Sequence, residues 1–324
     1  MPALFDPFEV RGKSFKNRVF VSPMCQYSAD TDGRPNDWHL VHLGRFAVGG
    51  AGLVLTEATA VSPDGRLSPY DTGMWTDDHV EPWQKIVDFL HANNTPIGMQ
   101  LVHAGRKGST SPPWSGETFV EIKDGGWQTV APSAIAFDDL PTPLELSVSE
   151  IAEIRDDFTT AAKRVHFAGF DALEIHAAHG YLLHQFLSPL SNQRQDAYGG
   201  DFMGRARFLL EVVESVRSDA WPSDLPLFVR VSATDWVDGG WDLDQTVRLA
   251  SELSRRGVDL VDCSSGGLVP NARIPVGPGY QVPFAERVRQ EAGVATGAVG
   301  RLTQPAQANE VIRNGSADVV VLPK

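Results

Sequence analysis

Residues Ser147–His176 read SVSEIAEIRDDFTTAAKRVHFAGFDALEIH, one helix followed by one strand. Ser147 and Glu150 have capping-box spacing, in which each side chain takes the other residue's backbone N–H. Ile151, Ile154, Phe158, Ala161, Ala162 and Val165 then fall on one helical face. Gly169 ends the helix. Ala172–His176 is short, continuous and apolar, which is how a parallel strand buried on both faces reads. Working outward, Arg18–Val21, Gly52–Thr56, Ile97–Val102, Leu227–Val231, Leu260–Cys263, Val294–Val299 and Asp318–Leu322 read as strands in the same way. A second helix is expected over Asp78–Ala92, ended by Pro96. Strands alternating with helices, eight of the former in all, predict an α/β fold of the (β/α)8 TIM-barrel type. The rival, a doubly wound sheet, would carry G-x-G-x-x-G after an early strand, and none is found. With no internal repeat, low-complexity tract or linker, residues 1–324 read as one domain.

Composition narrows the function. At 42% hydrophobic and 21% charged, the chain is that of a soluble globular protein with a large core. A net charge of −13 disfavours nucleic acid and anionic membranes as partners. Cys25 and Cys263 are too few for a four-cysteine zinc or iron–sulfur site and suggest no disulfide framework, so a cytoplasmic location is expected. Met1–Val10 lacks an apolar signal region, and no run of 18 apolar residues occurs, so no membrane span is expected.

Two long segments follow strands, Gly105–Leu146 and Ala177–Arg205. Both belong at the C-terminal face of a barrel, where active sites are built. The stretch Glu174-Ile-His-Ala-Ala-His-Gly-Tyr181 starts in the fourth strand and leads into the second of these segments. If the chain turns after His176, then His176, His179 and Tyr181 all face the mouth. Two neutral imidazoles can donate N–H to one carbonyl oxygen, and a phenol can supply a proton. The same His-x-x-His could instead hold a metal, or a histidine could be a satisfied core residue. Cys25, at the exit of the first strand, either packs against a cofactor ring or is a small buried hydrophobe. Gln100 and Arg230 lie inside apolar strands, where burial costs several kcal/mol unless they are paired. A ring with carbonyl and imide edges would satisfy both, and so would an internal salt bridge or barrel packing. The turn Thr296-Gly-Ala-Val-Gly-Arg301 suits a phosphate, although a glycine-rich turn alone is a weak signal.

These motifs together resemble the Old Yellow Enzyme family of FMN ene-reductases. They are Asn17-Arg-Val, Ser22-Pro-Met-Cys-Gln-Tyr27, Thr56-Glu-Ala58, Gln100-Leu-Val-His-Ala-Gly-Arg106, His176-Ala-Ala-His-Gly-Tyr-Leu182, Phe186-Leu-Ser-Pro-Leu-Ser-Asn192, Tyr198-Gly-Gly200, Val229-Arg-Val231 and Thr296-Gly-Ala-Val-Gly300. In this order they run the length of the chain, and they look most like the xenobiotic-reductase-like bacterial subgroup with a cysteine beside the flavin. The resemblance implies that Pro23, Met24, Cys25, Ala58, Gln100 and Arg230 hold the flavin ring. It places Gly266, Val299 and Gly300 near the ribityl chain and phosphate. It implies that His176 and His179 bind the substrate carbonyl, that Tyr27 is a further substrate contact, and that Tyr181 is the proton donor. The implied activity is that of an NADPH oxidoreductase. Flavin N5 passes hydride to the activated C=C bond of an α,β-unsaturated carbonyl or related compound. Enones, enals, maleimides and nitro compounds are the expected substrates, with no bound metal.

The chain departs from the family where Pro323-Lys324 stand in place of a phosphate-gripping Gly-Arg pair. Pro has no N–H to donate, so weaker flavin binding and a shortened C-terminal end are expected. Asp201-Phe-Met-Gly-Arg205 also differs from the family's usual stretch there. A homodimer or homotetramer is expected, with His39, His42 and Arg45 at helical spacing near subunit contacts or on a solvated helix face. The competing functions are a metal-dependent barrel hydrolase using His176 and His179, and a barrel with impaired flavin binding.

Overall fold

The computed structural model describes residues 2–116 and 118–323. Among these, eight parallel strands close into a barrel. They are β1 Val19–Val21, β2 Leu53–Ala60, β3 Ile97–Val102, β4 Ala172–Ala177, β5 Leu227–Ser232, β6 Leu260–Ser264, β7 Ala295–Ala298 and β8 Val319–Leu322. Val320 of β8 pairs with Val19 of β1 and completes the ring. Each strand lies where the apolar runs put it, with small shifts at the ends. Arg18, Gly52, Val294 and Asp318 stand just outside their strands, while β2 continues to Ala60.

That extension has a physical cause. The β2–β3 register slips between Leu55 and Ala58, as a β-bulge does. The extra residue re-aims the strand end. Glu57 reaches His39 at 3.0 Å, whereas Ala58 joins a small apolar cluster with Leu67, Val102 and Ala104.

Helices α1 Asp37–Val48, α2 Val80–Ala92, α3 Val148–Phe167, α4 Leu182–Leu187, α5 Phe202–Asp219, α6 Leu243–Arg255, α7 Val282–Ala292 and α8 Pro305–Arg313 connect the strands. The capping box of α3 is present: Glu150 N–H donates to Ser147 Oγ at 3.3 Å, and Ser147 N–H donates to the Glu150 carboxylate at 2.7 Å. The helix buries Ile151, Ile154, Phe158, Ala161, Ala162 and Val165 against the barrel, and Gly169 follows in the left-handed region at φ +88°. The second expected helix starts differently, as a 3-10 turn over Asp77–His79 that leads into α2. His39 on α1 is buried, so it turns inward, while Arg45 stays exposed.

An N-terminal hairpin, Phe8–Val10 with Lys13–Phe15, covers one end of the barrel. Its Phe8 and Phe15 pack against Leu53, Ala172, Leu260 and Val319, the first residues of their strands. Chemistry is therefore confined to the opposite end, where the long loops Gly105–Leu146 and Ala178–Asp201 emerge. Among the described residues no helix is long and apolar enough to cross a membrane.

Candidate active site

β4 delivers the central groups. His176 lies at its C-terminal end, and the chain then turns through His179 at φ +57° and Gly180 at φ +76°. A Cβ on Gly180 would stand 2.2 Å from the Gly267 carbonyl, and one on Gly267 would stand 2.7 Å from the His179 backbone. The loops after β4 and β6 thus touch backbone to backbone, which only glycine permits. The turn gathers three rings: the His176 and His179 centroids are 5.1 Å apart, and those of His176 and Tyr181 are 5.0 Å apart.

Hydrogen bonds orient this group. Ala178 N–H donates to His176 Nδ1 at 3.2 Å, which leaves Nε2 as the protonated nitrogen of a neutral ring. His179 N–H donates to Ser232 Oγ at 2.9 Å. The side chain of His179 sets Nδ1 3.3 Å from His176 Nε2 and Nε2 2.7 Å from Ser264 Oγ. Burial, followed by the positive charge of Arg230, holds both imidazoles well below the ordinary histidine value, so both are neutral. Burial likewise raises the Tyr181 phenol well above its usual range, so it keeps its proton. Lys107 Nζ donates to the carbonyls of His179 at 2.9 Å and Gly267 at 2.5 Å, and its charge stands 5.6 Å from the Tyr181 ring centroid. Burial pushes this amine down to about 8.

The facing wall comes from β1. Pro23, Met24 and Cys25 follow the strand and are half-buried. Gln26 N–H donates to Glu57 Oε2 at 2.9 Å, so the buried His39–Glu57 pair holds this segment. Cys25 and Tyr181 pack on the patch of Ala58, Leu67, Val102 and Ala104. Burial first, then the carboxylates of Asp71 and Glu57, raise the Cys25 thiol, so it stays protonated. Tyr27, at φ +52°, meets Trp114 edge-on at 5.4 Å. Tyr27, Tyr181, Leu67, Lys107 and Phe137 line a cavity of about 290 Å³.

The interior polar residues are grouped below. Gln100 Nε2 donates to Glu174 Oε1 at 2.7 Å. Arg230 Nη1 donates to Ser22 Oγ at 3.0 Å, and Arg230 Nε stands 3.2 Å from Asp262 Oδ2. The internal-pairing alternative for Gln100 and Arg230 is therefore present in the fold. It is incomplete: Arg230 Nε and both Asp262 carboxylate oxygens lack a well-formed hydrogen bond. Burial first, then the neighbouring Asp262, raise the Glu174 carboxyl above its ordinary range.

Of the remaining expected contacts, Gly266 is joined to His179 through Ser232, whose Oγ accepts the His179 N–H and donates to the Gly266 carbonyl. Gly266, at φ +71°, has its carbonyl taken by Ser232 Oγ at 2.8 Å. Val299 is buried in the same cluster as Phe8 and Phe15 of the hairpin. Gly300, at φ +115°, accepts Gly279 N–H at 2.7 Å. Arg301 instead lines a separate cavity with Leu4, Phe5 and Pro323. Lys324 lies outside the described residues.

Sequence reasoning missed Lys107, Ser264 and the buried His184–Asp235 pair at 3.0 Å. Asp262 was findable by the logic that found Arg230, since it too interrupts an apolar strand.

The apolar patch beside the Cys25 thiol suits a flat ring such as that of a flavin, and the incompletely bonded guanidinium of Arg230, in register with His176 on the neighbouring strand, suits a carbonyl edge. Among the described residues no cluster of three or more His, Cys, Asp or Glu side chains is arranged to hold a metal ion, so the metal-hydrolase alternative has no third ligand. Fold and site together define a flavin-dependent barrel oxidoreductase. Residues 3–323 match the family described as NADH:flavin oxidoreductase / NADH oxidase, and the chain belongs to it. It is 47% identical over 323 residues to an NADPH dehydrogenase of Geobacillus sp. (strain WCH70), covering 99% of this chain and 89% of that protein. It is 46% identical over 321 residues to an NADPH dehydrogenase of Bacillus subtilis (strain 168), covering 98% and 89%. Among solved structures it resembles morphinone reductase, with a TM-score of 0.81 at 30% identity over 99% of this chain and 85% of that one. It also resembles the old yellow enzyme homologue from Zymomonas mobilis, with a TM-score of 0.81 at 27% identity, over 99% and 88%.

Proposed function

We propose that this chain is an FMN-dependent NADPH oxidoreductase that reduces the activated C=C bond of α,β-unsaturated carbonyl compounds. The observation that carries the reading is the neutral His176–His179 pair beside the protonated Tyr181, next to a patch that fits a flavin. FMN, when bound, supplies the hydride drawn from NADPH. In this reading Pro23, Met24, Cys25, Ala58, Gln100 and Arg230 hold its ring, and Gly266, Val299 and Gly300 lie along the ribityl chain and phosphate through their backbones.

The chain's own residues do the rest. His176 Nε2 and His179 Nδ1 donate to the substrate oxygen, drawing electron density from Cβ and stabilising the enolate charge that develops there. Because both rings are neutral, they do this without transferring a proton. Tyr181 delivers the proton to Cα. Tyr27, which lines the same cavity as Tyr181, is a further substrate contact. The substrate gains hydride at Cβ and a proton at Cα, and NADPH becomes NADP⁺.

Enones, enals, maleimides and nitro compounds are the proposed substrates. Residues 1–324 act as one FMN-binding barrel domain, with Cys25 beside the flavin, in the cytoplasm and as a homodimer or homotetramer. A mass by light scattering equal to one chain would overturn the assembly. To test the activity, FMN-loaded protein is given NADPH and 2-cyclohexenone. Cyclohexanone formed mole for mole with NADPH consumed supports the reading, and NADPH consumption without any cyclohexanone overturns it.

A further inference from the structure

We infer that Asp262, inside the barrel on β6, is a positioning residue that holds Arg230 beneath the mouth, cancels part of its charge, and so sets how easily the bound flavin is reduced. The inference rests on the reading of Arg230 as a contact of the flavin ring, and deepens it.

Alternate residues of a strand face the same way. On β4 the inward set is Ala172, Glu174 and His176; on β5 it is Phe228, Arg230 and Ser232; on β6 it is Leu260, Asp262 and Ser264. Ala172, Phe228 and Leu260 belong to the apolar floor built on the hairpin. His176, Ser232 and Ser264 belong to the network around His179 at the mouth. Between floor and mouth lies a layer that holds Glu174, Arg230 and Asp262, all buried. Gln100 joins it through its hydrogen bond to Glu174. Asp262 and Arg230 are direct register partners on neighbouring strands.

Within this layer Asp262 answers to Arg230. Its Oδ2 stands 3.2 Å from Arg230 Nε, and Gly297, its register partner on the other side, brings no side chain. Neither carboxylate oxygen nor Nε makes a well-formed hydrogen bond, so attraction between charges holds the pair. Burial raises the Asp262 carboxyl, and Arg230 pulls it back down. Burial raises Glu174 too, and there Asp262 raises it further. Asp262 therefore carries the negative charge, while Glu174 keeps its proton. One buried cation faces one buried anion, away from the water that would screen them.

Two edges of the guanidinium are engaged, Nε by Asp262 and Nη1 by Ser22 Oγ at 3.0 Å, while Nη2 has no partner among the described residues. The charge of Arg230 reaches the mouth, since it helps to keep both His176 and His179 neutral. A flavin gains electrons on reduction, so a cation beside its ring favours the reduced form. An anion behind that cation opposes the effect. Asp262 thus fixes the guanidinium and holds the reduction potential below the value that an unpaired cation would give. Asparagine in its place keeps an acceptor for Arg230 and removes the charge.

The test is the midpoint potential of bound FMN, read from visible spectra during anaerobic reduction beside an indicator dye of known potential. Asp262→Asn should still bind FMN and move the midpoint in the positive direction. The expected size is a tenfold gain of reduced over oxidised FMN in relative affinity, about 30 mV for two electrons. Asp262→Glu, which keeps the charge, should stay close to the wild type. If Asp262→Asn does not fold, Asp262→Ser, smaller and also uncharged, makes the same comparison. A role confined to stability would lower the Tm of Asp262→Asn and leave its midpoint unmoved, and that result overturns the inference. A shift of the same size in Asp262→Glu overturns it as well, because charge would not be the cause. These outcomes leave the flavin reading standing, whereas a wild-type protein that takes up no FMN overturns that reading and the inference with it.

Discussion

Removing both donors, by His176→Ala together with His179→Ala, should leave flavin bound while enone turnover drops about 10²–10³-fold. Unchanged turnover, measured under saturating NADPH, would contradict the assigned role. The burial of the pair also fixes a pH dependence. Both rings are neutral in the fold, with values well below the ordinary one, yet they charge in the unfolded chain below about 6.5. The unfolded state therefore binds more protons under acid, so stability is lost as pH falls below about 6.5. The double variant should flatten that slope in thermal melts, and an unaltered slope would mean that the rings are not buried neutral. Much of this residue-scale site was legible in sequence, because His176, Gln100 and Arg230 are polar groups interrupting apolar strands. Ser264 was not. A serine at a strand end is ordinary, and its partner lies 85 residues away along the chain. Lys107 stood directly after a quoted motif, but nothing in chain order says that its ammonium reaches the carbonyl of Gly267.

At the scale of elements, the site depends on the loop after β4 being pinned to the loops after β5 and β6. Gly180→Ala forces a side chain into a left-handed residue and against the Gly267 carbonyl. It should cost about 2–4 kcal/mol, read as a lower urea midpoint, and reduce kcat/KM as His179 shifts. A variant with both quantities unchanged would show that the crossing of the two loops does not position the histidines. His184→Ala tests the second fastening. It strips the partner from Asp235, which is fully buried and also takes Ser188 Oγ at 2.6 Å and Trp241 N–H at 2.7 Å. Loss of a buried partner of this kind costs about 3–5 kcal/mol, and a change under about 1 kcal/mol would contradict the account. The strands were legible because a parallel barrel strand, covered on both faces, leaves an unbroken apolar run. The bulge in β2 was not, since it depends on pairing with β3 rather than on any local residue type. The same holds for the inward turn of His39, which is set by Glu57 from that bulged strand.

At the scale of the molecule, the N-terminal hairpin closes one barrel end and leaves the other to the cofactor. A ligand that binds only the folded chain stabilises it, by about 2.7 kcal/mol when present at a hundredfold excess over its Kd. Added FMN should therefore raise the Tm of flavin-stripped protein, and an unchanged Tm would mean that the patch beside Cys25 is not a flavin seat. The fold class was readable from the whole alternation of strands and helices. The closeness of the loops above it was not, because it arises only when the ring of strands shuts. The most direct test of the central claim is an anaerobic visible absorption spectrum of the FMN-loaded protein, first with NADPH and then with 2-cyclohexenone. The expected result is a flavin band that NADPH bleaches and the enone restores. A protein that takes up no FMN, or a bleached band that the enone leaves unchanged, would contradict it.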